Sequence, residues 1–127
     1  DLRDAMLAGQ ADRALTVLSG LRGEGEALLL VLWAVGEEIR ILARLSAGTD
    51  PGLDAALRAQ RIFGTRERLI RQALHRVPAS AWPAAVRHAH EIDCLIKGIP
   101  VDGRLRDPWD ELARLVLRVA VVGTRRA

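Results

Sequence analysis

Apolar residues run unbroken from Ala27 to Val35 and then thin out to Ile39, Leu42 and Leu45. The pattern predicts one helix through about Ser46, covered nearly all round in its first half and amphipathic in its second, with the other helices arranged around it. A membrane span needs about 20 largely uncharged residues, and Glu37, Glu38 and Arg40 interrupt this run too early. No membrane association is expected.

On either side the pattern predicts further helices. Residues 2–8 read as the tail of a helix closed by Gly9, and Asp12 is placed to cap a second helix whose stripe is Ala14, Leu15, Val17, Leu18 and Leu21 before Gly23 and Gly25 end it. The run from Ala47 to Gly52 is a dense turn signal, followed by a short helix over Leu53 to Ile62 with Leu53, Ala56, Leu57 and Gln60 along one side. Thr65 is expected to cap the next helix, in which Leu69, Ile70, Ala73, Leu74 and Val77 recur at helical spacing until Pro78 stops it. Ser80 is expected to cap a long helix to about Lys97, with Pro83 tolerated in its first turn and Trp82, Val86, Ala89, Ile92 and Ile96 facing inward. After the loop of Gly98, Pro100 and Gly103, Asp107-Pro108-Trp109-Asp110-Glu111 is the clearest helix start in the chain: a cap, a proline at the first position and acids at the positive end of the dipole. Leu112, Leu115, Val116, Val119 and Ala120 carry that helix inward, and Gly123, Arg125 and Arg126 are expected to fray. The expected fold is all-α, a single bundle of six or seven helices over residues 1–127, with 1–9 the tail of a preceding helix or a linker. A start that reads as mid-helix suggests a piece of a longer protein.

Composition sharpens this. Half of the 127 residues are apolar but only 3% aromatic, with no tyrosine, so the core must be built from Leu, Ala, Val and Ile with Trp33, Trp82 and Trp109 as its bulky anchors. Basic residues exceed acidic ones by only 19 to 16, a net charge of +3 and a weak argument for nucleic acid. One cysteine excludes an internal disulfide and fits a reducing compartment.

Candidate chemistry is thin. His90-Glu91-Ile92-Asp93-Cys94 imitates the two-ligand helical pattern of metalloproteases, but Cys94 stands where a histidine is needed, His88 falls on another face and His75 is distant. A small buried thiol beside a partly exposed imidazole is the favoured reading, and no metal or cofactor is expected. The glycines at 20, 23 and 25 follow no strand and match no nucleotide loop, and Ser19, Ser46, Ser80 and Cys94 sit in no nucleophile elbow. Glu37-Glu38 reads as a solvated face and Asp110-Glu111 as a complement to the helix dipole. An enzyme is not expected. Arg66, Arg68, Arg71 and Arg76 on one helix can grip phosphates or carboxylates, but without interleaved aromatics a solvated or subunit-contacting face is favoured over nucleic-acid binding by the 66–76 helix.

Several segments, taken in order, look familiar. They are Asp4-Ala5 with Gly9, Arg13-Ala14-Leu15 with Gly25-Glu26, Leu32-Trp33-Ala34 with Glu38-Ile39-Arg40, Ile62-Phe63-Gly64 with Arg66 and Arg68-Leu69-Ile70, Ile92-Asp93 with Leu95-Ile96-Lys97-Gly98, and Asp107-Pro108-Trp109-Asp110-Glu111-Leu112. Together they resemble the C-terminal domain of the bacterial DNA polymerase III delta subunit of the clamp loader, although Phe63 stands where tryptophan is more usual and Cys94 where a polar residue is. The resemblance implies a collar domain that packs with the gamma/tau and delta-prime subunits in a five-membered ring in the bacterial cytoplasm. Contact with the sliding clamp and DNA then belongs to the whole protein or complex, in DNA replication. A ring of unlike subunits needs two different surfaces, and one contact is expected around Phe63, Arg66 and Arg68.

Overall fold

Seven α-helices and no strand make up the described residues, 1–48 and 52–122 of a computed structural model. They are α1 (Leu2–Leu7), α2 (Ala11–Gly23), α3 (Leu28–Ala47), α4 (Gly52–Ala59), α5 (Gly64–Arg76), α6 (Ala81–Ile96) and α7 (Pro108–Val121). Part of the predicted turn before α4, and the predicted fraying at Gly123, Arg125 and Arg126, lie outside the described residues. No helix of the described residues is long and apolar enough to cross a membrane.

The core is one continuous cluster in which α3 packs on α6, α7 on α2 and α6, and α1 against α2, α5 and α7. The opening segment, expected to be a helix tail or linker, packs as part of the bundle: Leu2, Ala5, Met6 and Leu7 are buried, and the Asp1 carboxylate accepts the Arg3 N–H at its start. Trp82 is buried at the start of α6, as expected, and its indole Nε1 has no hydrogen-bond partner among the described residues.

Helix starts match the sequence unevenly. Asp107 caps α7 as predicted, its carboxylate accepting the Trp109 N–H, with Pro108 in the first position. Asp12 and Thr65 instead fall inside the first turns of α2 and α5, whose caps are Gln10 and Phe63, and Ser80 caps α6 without a side-chain bond. Helix ends are more uniform. After α1, α2, α4 and α6 an N–H reaches back five residues, from Gln10 to Ala5, Glu26 to Leu21, Ile62 to Leu57 and Ile99 to Cys94. The residue before each donor is left-handed, a glycine three times and Arg61, at φ 56°, the fourth.

The predicted all-round burial of the first half of α3 fails: Val31, Leu32 and Val35 are buried there, but Leu30, Trp33 and Ala34 are exposed. The second half is amphipathic as predicted, burying Glu38, Ile39, Ile41, Leu42 and Leu45 and leaving Glu37, Arg40 and Arg44 exposed. The reason is placement: α4 and α5 cover α3 in addition to α6, and Glu38 and Leu45, which contact or line those helices' surroundings, lie in the second half. Trp33, expected in the core, is 54% exposed.

Candidate interaction surface

Phe63, Arg66 and Arg68 fall at the start of α5, where three environments lie within six residues. Phe63 is 60% exposed in extended backbone just before the helix. Arg66 turns inward, its Nη1 donating at 2.9 Å to Oε2 of Glu38. Glu38 is 1% exposed, so the expected solvated face at Glu37-Glu38 holds for Glu37 alone. A buried carboxylate requires a partner, and Arg66 is it. Arg68 is exposed and makes no ion pair among the described residues.

The remaining arginines of α5 are also engaged. Arg71 donates to Glu67 at 2.9 Å and Asp54 at 2.6 Å, raising its own pKa and lowering that of Asp54 through their hydrogen bond. Arg76 is half-buried where three helices end. Its Nη1 donates to the carbonyls of Val119, Ala120 and Val122, and its Nη2 to those of Met6 and Leu7, at 2.7–3.3 Å. Unsatisfied carbonyls and the negative end of the helix dipole both favour a cation there. Three of the four arginines expected on a basic face therefore serve the fold.

A second polar centre, missed in the sequence, lies between α6 and α7. His88 and Glu111 are both buried, with His88 Nε2 2.7 Å from Glu111 Oε1. Arg118 Nη1 lies 3.4 Å from His88 Nδ1 and donates to the Ala84 carbonyl. A guanidinium only donates, so Nδ1 accepts and Nε2 carries the hydrogen given to Glu111. Glu111 also accepts from the Leu105 N–H at 2.8 Å and from Arg114 at 2.9 Å, with Arg104 3.7 Å away. Burial pushes His88 below the usual histidine range against the pull of Glu111. For Glu111, burial acts upward, but the Leu105 N–H, His88 and Arg114 outweigh it and hold the carboxyl low. Asp110-Glu111 is thus divided: Asp110 is exposed and bonded to Arg22, and Glu111 is a buried hub that orders the loop before α7.

Cys94 is intermediate in exposure, with Sγ 3.8 Å from His90 Nε2, and the described residues hold no group of three or more side chains able to take a metal ion. No family model and no curated protein matches the chain. What the surface offers is apolar: Leu30 and Trp33 on α3, Phe63 before α5, and Ile99 and Leu105 in the loop after α6. The loop pair lines a shallow cleft of about 460 Å³ with Arg104 and Arg106.

Proposed function

We propose that the chain is a collar-type assembly domain of a DNA polymerase III delta subunit, joining unlike neighbours in the ring that loads the sliding clamp onto DNA. Its role is structural, with no catalysis of its own. Gamma/tau and delta-prime are its partners, clamp and DNA are reached through the complex, and the bacterial cytoplasm is its place. The resemblance of the sequence segments to that family supports this. The observation that carries it is the presence of large apolar side chains outside a completed core at separated positions, Phe63 before α5 and Ile99 with Leu105 after α6. Such side chains, bordered by arginines, have the make-up of a contact patch. Two separate patches suit a head-to-tail ring.

The contact expected at Phe63, Arg66 and Arg68 is accordingly narrowed to Phe63 and Arg68, because Arg66 neutralises Glu38. Light scattering after size exclusion, with the C-terminal domains of gamma/tau and delta-prime from the same organism, tests the proposal. Co-elution at a defined mass is expected, weakened by Phe63→Ser with Arg68→Glu. Folded partners that fail to associate overturn it. Nucleic-acid binding by the 66–76 helix is the alternative, resting on Arg68 alone among the four arginines. Steeply salt-dependent DNA binding would favour it.

A further inference from the structure

We infer that the outer face of α3 binds a second copy of this chain, antiparallel, about a two-fold axis beside Trp33. Leu30, Trp33 and Ala34 form an exposed ridge between two grooves. One, of about 350 Å³, is floored by Leu2, Leu21 and Val31. The other, of about 270 Å³, lies against α6 and is floored by Leu32, Gly36 and Ala89. A ridge between grooves is the shape into which another helix packs.

Charge and spacing select the occupant. Glu26 borders the first groove beside Leu30 and has no ion-pair partner among the described residues. Arg40 borders the second beside Trp33, with Arg44 one turn further on. Among the described residues, only Glu37 answers these two arginines, at 3.3 and 4.0 Å. Glu26 stands seven residues before Trp33 and Arg40 seven after it.

Glu26 lies just before the cap of α3, so a helix that enters antiparallel with its own Trp33 at the centre points its Arg40 toward this Glu26 and its Glu26 toward this Arg40. Its Leu30 comes over Gly36, which has no side chain of its own and lies beside the Arg40 guanidinium. Parallel entry opposes like charges at both ends. The required occupant carries an acid, an apolar centre and a base in that order, which is the pattern of this same segment. Two-fold symmetry forms each contact twice.

The test is light scattering and sedimentation of the whole chain from about 1 μM to about 1 mM, a range that spans weak self-association. A monomer–dimer equilibrium is expected. Trp33→Ala, at an exposed position, should raise the dissociation constant at least about tenfold, as central tryptophans do, with an unchanged circular dichroism spectrum. Glu26→Arg and Arg40→Glu should each weaken the dimer, and the double variant should recover it. A monomer at every concentration overturns the inference, as does a dimer indifferent to Trp33→Ala or a double variant no better than the singles. A monomer that uses Trp33 to bind gamma/tau or delta-prime also overturns it while leaving the collar proposal standing. Conversely, the dimer does not depend on that proposal.

Discussion

His88 and Glu111 meet at 2.7 Å in the interior, the imidazole neutral and donating, the carboxylate charged and accepting. Both fold with a lowered pKa. A depressed folded pKa means that the unfolded chain takes up protons first as the pH falls. Stability is then full above the unfolded values and is lost downward through the folded ones. We expect urea midpoints to be flat above about pH 6.5, to fall below it as His88 is affected, and to fall again below about pH 4.3 with Glu111. His88→Gln should remove the upper step. A wild-type midpoint unchanged between pH 7 and pH 5 would contradict this assignment.

Arg76 should be among the most sensitive half-buried positions. Arg76→Ala leaves carbonyls of α1 and α7 without their donor, and hydrogen bonds to a charged group contribute about 1.5–3 kcal/mol. A loss of about 3 kcal/mol is expected from chemical denaturation. Arg76→Lys should recover little, since one ammonium lacks the planar fork that reaches both ends. Full recovery by lysine would show that charge alone matters there.

Removing Arg66 strands a carboxylate, whereas removing Arg68 strands nothing. Arg66→Ala is expected to cost about 3 kcal/mol, as for a broken buried pair, and Arg68→Ala less than about 0.5 kcal/mol, as for an ordinary surface change. Double variants in which Glu38 is also replaced by Gln should recover part of the Arg66 loss. Equal, small effects at 66 and 68 would mean that Glu38 finds another partner.

Two substitutions should stabilise. Arg61 holds φ 56° at the end of α4, a conformation that costs a side chain about 1 kcal/mol and glycine almost nothing. Arg61→Gly should raise the melting temperature. In α3, a methyl on Gly36 would meet Arg40 Nη1 at 3.4 Å and Ala89 Cβ at 3.8 Å, ordinary contacts. Gly36→Ala should therefore add about 0.5–1 kcal/mol through helix propensity. A lower melting temperature in either variant would refute the corresponding geometry.

The helical class and its punctuation were legible because they rest on local rules: Asp107-Pro108 begins α7, and Gly9, Gly25 and Gly98 close helices. The side that each helix shows its neighbours was less so. A run such as Leu28 to Val35 has apolar residues on every side and cannot say which side stays open. The buried ionic groups do leave a signal in the sequence. Glu38 is in register with Val35, Leu42 and Leu45, and His88 with Ala85, Ala89 and Ile92, so helical spacing places both inward. Their partners Arg66 and Glu111 are far away in sequence, and only the fold brings them together. Phe63 and Arg68 carry no such register, and nothing local in the sequence separates them from Arg66.

The packing of α7 on α1 and α2 also sets a timetable. A chain folded only as far as residue 107 has six helices, yet α1 and α2 still lack the helix that covers them. Contacts between distant segments carry the entropy of closing everything in between. Until α7 docks, the faces of α1 and α2 that it covers have an incomplete enclosure. Docking of α7 completes it.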